Sequence, residues 1–169
     1  MKLHIGGTQT RPGWTLMNIQ DGPGVDLVGD LSDLSGFADD SIEEIYASHV
    51  LEHIPQQAVA QTLRGAWRVL VGGGLFKIAV PDMEMLCRLM LDPEAPFEAK
   101  FLVMRMMFGG QIDRHDYHYF GWTQQFMEHF LRDAGFTRME RVETFGLFED
   151  TSNYRPFGVP ISLNVIASK

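Results

Sequence analysis

Short apolar runs, each stopped by glycine or by a few small polar residues, constrain this chain more than any other feature. Lys2 to Ile5 runs into Gly6-Gly7, and Trp14 to Ile19 follows after a stretch rich in Thr, Arg, Pro and Gly. Val25 to Leu31 alternates and carries Asp26 and Asp30; Phe37 to Ser41 is turn chemistry; Ile42 to Ser48 is a fourth run. Runs this short and apolar, with polar residues at their C-terminal ends, read as buried parallel strands. A fifth, Leu75 to Val80, ends at Pro81-Asp82, and Phe136 to Phe145 and Ile161 to Ala167 close the chain as a strand pair of antiparallel character.

Helices separate the later strands. From about Gln56 to Leu70 the positions Val59, Leu63, Ala66, Trp67 and Leu70 keep a 3.6-residue period, and Gly72-Gly73-Gly74 stops it. Met83 to Met107 is helical with a break near Asp92-Pro93, and Thr123 to Ala134 is amphipathic, with Thr123 placed to cap it and Gly135 to end it. Strands alternating with helices give an α/β sheet.

At 169 residues the chain has the usual length of one domain, spanning 1–169, and needs no metal or disulfide to stabilise its core. Lys+Arg 14 against Asp+Glu 22 leaves a net charge of −8, which repels nucleic-acid phosphates and anionic membranes. One cysteine, Cys87, excludes an internal disulfide framework, and no run is apolar enough for a signal peptide or a bilayer span. The expectation is a cytoplasmic protein with neither nucleic acid nor membrane as partner.

Four groups of residues have chemistry to offer. Gly6-Gly7-Thr8 is a turn where backbone can approach a ligand closely, or a tight turn and nothing more. Gln20 and Asp21, then Asp30, then Ser48 and His49 put polar groups at three successive strand ends, where open α/β sheets bind ligands. His49-Val50-Leu51-Glu52-His53 fits the H-x-x-E-H pattern of zinc peptidases. Against that stand its position at a strand end, the nearby Pro55 and the lack of an obvious third ligand; the plainer reading is a helical turn with Val50, Leu51 and Ile54 packed inward. Gly109 to Gly121 gathers Gln111, Asp113, Asp116, His115 and His118 among Tyr117, Tyr119, Phe120 and Trp122, as a loop over a pocket would.

In this order the pieces resemble the class I S-adenosylmethionine-dependent methyltransferases. KLHIGG, PGVDLVGDLSDL, DDSIEEIYASHVLEHI, RVLVGGGLFKIAVPD and LRDAGF carry the resemblance. FGGQ at Phe108–Gln111 and PISLNVIASK at Pro160–Lys169 make it similar to a compact group associated with glycan and surface-polysaccharide synthesis. The resemblance implies a Rossmann-like, mostly parallel seven-stranded sheet with an antiparallel C-terminal strand. It implies S-adenosylmethionine as cofactor, held by the turn Gly6-Gly7-Thr8 with its methionine end over Gly6 and Gly7, Ser48 and His49 flanking that end, and Asp30 and Leu31 near the adenine. His118, His49 and His53 are then base candidates, and Gln111, Asp116 and Tyr117 contact a small polar acceptor such as a sugar hydroxyl; no metal is assigned.

Three departures from the family pattern have consequences. Thr8 stands where the turn usually has glycine, and Gln20, beside Asp21, where an acidic residue usually holds the ribose diol. The first helix is reduced or missing, which predicts a bare sheet face and a homodimer through it. The alternative function is a degenerate methyltransferase fold that serves as a binding or scaffolding subunit.

Overall fold

The computed structural model describes all residues, Met1–Lys169. Seven strands form one sheet: β1 (Lys2–Ile5), β2 (Trp14–Asn18), β3 (Leu27–Val28), β4 (Ile42–Ser48), β5 (Leu70–Pro81), β6 (Arg138–Val142) and β7 (Ser162–Ser168). Their order is β3-β2-β1-β4-β5-β7-β6. The first five run parallel to one another, and β7 runs antiparallel to both β5 and β6. This is the mixed sheet the sequence led us to expect. No helix lies between β1 and β2, nor between any of the first four strands.

The helices are α1 (Gln56–Val69), α2 (Met83–Leu91), α3 (Phe97–Phe108) and α4 (Gln124–Ala134). Helices α1 and α4 bury Val59, Leu63, Ala66, Met127 and Leu131 against Leu3, Ile45, Phe76 and Val165 of the sheet, forming the main core. Thr123 Oγ1 accepts from Phe126 N at 3.2 Å, and Gly135 at φ 110° ends α4, as the sequence predicted. The methionine-rich stretch folds as the hairpin α2–α3, where Met90, Met106 and Met107 surround a satellite core of Leu86, Val103 and Ile161.

Three strands differ from expectation: β6 is limited to Arg138–Val142 where the sequence suggested Phe136 to Phe145, and β3 and β5 depart as well. β3 is reduced to two residues because the carboxylate of Asp26 takes the amide of Leu16 at 2.8 Å and Gly29 follows directly. β5 starts at Leu70, since the glycines make an irregular entry to the strand, with a register shift against β4, instead of a turn before it.

The sheet face opposite α1 and α4 holds His4, Trp14 and Tyr46. Phe145 and Phe148, from the segment after β6, cover them: the Phe148 ring stacks on His4 at 4.0 Å and lies 4.9 Å from Tyr46. Beside this cluster Glu44 pairs with Lys2 and Lys77. The face left by the absent helix is thus covered by aromatic residues from far along the chain and bordered by charge, not the bare apolar surface expected. No helix is long and apolar enough to cross a membrane.

Candidate active site

The parallel strands end together, and β1, β2 and β4 deliver the chemistry. Gly6 leaves β1 at φ 78°, a conformation that suits glycine, while its amide donates to Met17 O at 2.8 Å. A cavity of about 460 Å³ opens beside it, lined by Gly6, Asn18, Asp30, His49, Val50 and His53 among others, with Arg114, His115 and Tyr119 on its far side. It lies across the ends of neighbouring β1 and β4, where the strand order reverses.

Asn18 sits at the end of β2 with both side-chain atoms engaged: Nδ2 donates to Gly7 O at 2.9 Å and Oδ1 accepts from Gln20 N at 3.0 Å. Asp30 Oδ1 accepts from Ser32 N at 2.6 Å, which leaves Oδ2 without a partner inside the protein. A second cavity of about 280 Å³ lies beyond Gly6 and Gly7, lined by His4, Thr8, Ser48, Phe148, Asp150 and Thr151. His4 is nearly inaccessible, and burial depresses its pKa despite a contact from Nδ1 to Gln9 O at 3.2 Å. The Tyr46 hydroxyl donates to Asp150 at 2.7 Å, and burial raises its pKa.

The H-x-x-E-H segment is not a helix with two histidines on one face. His49 has φ 55°, and Leu51–His53 form a single 3-10 turn. Ser162 Oγ donates to Thr151 O at 3.0 Å and therefore accepts from His49 Nε2 at 2.8 Å. The other nitrogen of His49 stands 3.2 Å from Glu52 Oε1, an ion-pair distance without hydrogen-bond alignment. Glu52 is 1% exposed and neither carboxylate oxygen has a hydrogen-bond partner. Burial works to raise its pKa; the imidazoles of His49, His53 and His118 outweigh it and hold it below the usual glutamate value.

His118 reaches this turn from the loop after α3. Tyr119 N and Phe120 N both donate to Glu52 O, at 2.8 and 3.3 Å, which fastens the loop to the turn. His118 Nδ1 contacts Met106 O at 2.9 Å, His53 Nδ1 contacts Tyr117 O at 3.1 Å, and the two rings meet edge to face at 4.8 Å. Burial lowers the pKa of His118, with the charge of Glu52 opposing. A third cavity of about 280 Å³ is lined by His49, Arg105, Asp116, His118 and Tyr154.

Against the residues expected from sequence, the structure brings Gly6, Asp30, His49 and His53 to the main cavity. Gly7, Thr8 and Ser48 line the second, so the Cβ of Thr8 does not narrow the first. Gln20 and Asp21 are exposed and outside the lining; the strand ends two residues earlier, at Asn18. Leu31 is 1% exposed and belongs to the main core. His118 and Asp116 line the third cavity, while Gln111 and Tyr117 are in the lining of none of the three, Tyr117 contributing its carbonyl to His53. His4, Asn18 and Arg114 had no sequence signal beyond their place at a strand or in the polar loop.

The sequence profile of the methyltransferase domain family matches residues 15–78, from β2 into β5. No curated protein matches the chain in sequence. Among solved structures it is similar to an S-adenosylmethionine-dependent methyltransferase from Archaeoglobus fulgidus, at 14% identity and a TM-score of 0.62 over 99% of this chain and 85% of that one. A Mesorhizobium loti enzyme of the same description gives 18% and 0.61, over 99% and 90%. The Burkholderia thailandensis 1,6-didemethyltoxoflavin-N1-methyltransferase, with 1,6-didemethyltoxoflavin and S-adenosylhomocysteine bound, gives 16% and 0.62, over 99% and 70%. The chain spans 61% of a similar Bordetella parapertussis protein. The chain thus has the Rossmann-like fold of S-adenosylmethionine-dependent methyltransferases, with a methyltransferase-domain match across its central strands.

Proposed function

We propose that the chain transfers a methyl group from S-adenosylmethionine to an oxygen of a small polar acceptor, with a sugar hydroxyl as the acceptor class. The observation that carries this reading is the cavity at the β1–β4 crossover, built on a glycine in the left-handed region and edged by Asp30. Its volume of about 460 Å³ lies within the roughly 300–1,000 Å³ of small-molecule sites. Its walls offer the mixture such a cofactor needs: the Gly6 backbone, a carboxylate oxygen of Asp30 without a partner, and apolar Ile19, Val50, Ile54 and Ala58. When bound, the cofactor supplies the methyl group as an electrophilic sulfonium.

The chain's own residues orient the acceptor and dispose of its proton. His49 donates from Nε2 to Ser162 and sets its other nitrogen 3.2 Å from Glu52, so its part is to tether the end of β4 to β7. His53 and His118 each spend Nδ1 on a backbone carbonyl, so each keeps a lone pair on Nε2 and can accept a proton. Arg105, Asp116 and Tyr154 around the third cavity, and Tyr119 at the first, suit a hydroxylated acceptor. The homodimer belongs to the same proposal. Its support is the exposed stacked pair Phe97 and Phe101 on α3, 5.9 Å apart, and a monomeric mass by light scattering would remove it.

Calorimetric titration with S-adenosylmethionine and S-adenosylhomocysteine tests the reading. Binding of both is expected, weakened in Asp30→Asn. No heat from either ligand at millimolar concentration would overturn it.

A further inference from the structure

We propose that Glu52, His53 and His118 form a binding site for one divalent first-row transition-metal ion. The buried carboxylate comes first. Glu52 is 1% exposed, and both its oxygens lack any hydrogen-bond partner. Burying an ionised carboxylate this way is costly unless something cationic pairs with it or coordinates it. His49 answers only in part, standing 3.2 Å away without hydrogen-bond alignment.

The two imidazoles supply the rest. A metal-ligating histidine commonly donates its remote N–H to a backbone carbonyl, which fixes the tautomer and aims the other nitrogen. Both rings are held this way, His53 through Tyr117 O and His118 through Met106 O. Nε2 of each ring is thereby left as a free lone pair. One ring nitrogen each of His53 and His118 and one carboxylate oxygen of Glu52 all lie within 4.8 Å of one another. Ligands on one ion with bonds of about 2.1 Å stand roughly 3–4 Å apart, so the widest pair has to close by about 1 Å.

The frame that holds the three together is already built. The backbone amides of Tyr119 and Phe120 are bonded to the carbonyl of Glu52 itself, and His118 N donates to Phe108 O at 3.2 Å. Two imidazoles and one carboxylate suit Zn²⁺, Mn²⁺, Fe²⁺ or Co²⁺, and three protein ligands leave coordination positions open.

The location gives the ion a task, which rests on the methyl-transfer reading above. His53 lines the main cavity, His118 the third, and His49 both. An ion there stands between the two cavities, where a hydroxyl of the acceptor can occupy an open position. Coordination lowers the pKa of that oxygen, whose proton passes to water, so no free imidazole is needed.

The test uses the full chain, stripped of metal by chelation and titrated separately with Zn²⁺, Mn²⁺ and Co²⁺. Calorimetry follows all three, and visible absorption follows Co²⁺. One equivalent per chain is expected, with a rise in Tm on loading. Glu52→Gln and His118→Asn should each weaken binding by about 100-fold or more. Glu52→Gln keeps the shape of the side chain, and circular dichroism of its metal-free form checks that it folds; it decides the matter if His118→Asn does not fold. The exposed His129→Ala should bind as the parent does. No stoichiometric binding of any of the three ions up to about 1 mM, or unchanged affinity in Glu52→Gln, overturns the site. A parallel titration with S-adenosylhomocysteine separates the two readings: metal binding without nucleoside binding defeats the methyl-transfer reading alone, and the reverse defeats the metal site alone.

Discussion

Gly7→Ala isolates what the second glycine of the turn is for. Gly6 needs its φ of 78°, whereas Gly7 lies outside the left-handed region, so an alanine there carries no backbone strain. Its obstacle is a side chain: a Cβ on Gly7 would fall within 3.0 Å of His4 Nε2, Cε1 and Cδ2. Favourable carbon contacts begin near 3.5 Å, so the ring has to retreat. It is held by the face of Phe148 at 4.0 Å and the contact to Gln9 O at 3.2 Å. Losing an aromatic contact of about 0.5–1.5 kcal/mol and a hydrogen bond of similar worth costs about 2 kcal/mol in all, in the range of overpacked cores.

For a chain of this size, that lowers Tm by about 4–8 °C. The assay is urea and thermal unfolding of four proteins: parent, Gly7→Ala, His4→Ala and the double variant. With the ring gone, the added methyl has room. Gly→Ala at a compatible φ then stabilises by about 0.4–1 kcal/mol through the unfolded state. The sign of the Gly7→Ala effect should reverse between the two backgrounds, a coupling of about 2–3 kcal/mol. An equal cost in both backgrounds would refute the steric origin and return Gly7 to the role of a ligand-approach residue.

Further outcomes follow from other buried groups. His4 and His118 both have folded pKa values depressed by burial below the ordinary imidazole value of about 6.5. Their contribution to stability is complete above that pH and is lost as pH falls through the folded values, because the unfolded chain takes up protons first. Urea midpoints should therefore fall between neutral pH and about pH 5, and less steeply in His4→Phe. Asp82 is 4% exposed, caps α2 through Glu84 N and Met85 N, and pairs with Arg141 at 2.7 Å. Asp82→Ala should cost about 2–4 kcal/mol, read from the urea midpoint; a loss below 1 kcal/mol would mean the pair is no better than a surface one. Tyr46→Phe removes the bond to Asp150 and the 3.3 Å contact with Ser152 Oγ and should cost about 1–2 kcal/mol in the same assay.

The fold was legible because local rules and topology agree. The run Ile42–Ser48 reads as a buried parallel strand and is one, with the four successive residues from Glu44 to Ala47 buried. Thr123 and Gly135 mark the two ends of α4 for the reasons their chemistry supplies. Where reading failed, a distant group had intervened. Asp26 competes for the amide that a longer β3 would have used. Phe145 and Phe148, a hundred residues beyond Tyr46 in the chain, cover the face that looks unprotected from the β1–β2 spacing alone.

The candidate site separates along the same line. Gly6 and Asp30 are strand-end residues whose position follows from the local pattern, and both line the main cavity. Gln20 and Asp21 miss it because β2 ends at Asn18, a boundary shift of two residues that moves the lining position. The H-x-x-E-H segment shows the deeper difficulty. Read as a helix it pairs His49 with His53 and lacks a third ligand; the positive φ of His49 breaks that helix and turns its ring to Ser162 on β7. What the turn then presents is Glu52 and His53, and the third group, His118, comes from 65 residues on, fastened by the loop amides to the carbonyl of Glu52. Spacing within the motif carries no record of that long-range bond. The same turn that destroys the peptidase pattern creates a different constellation, with one buried carboxylate and two tautomer-fixed imidazoles between the two cavities, and it is this constellation that asks for a cation.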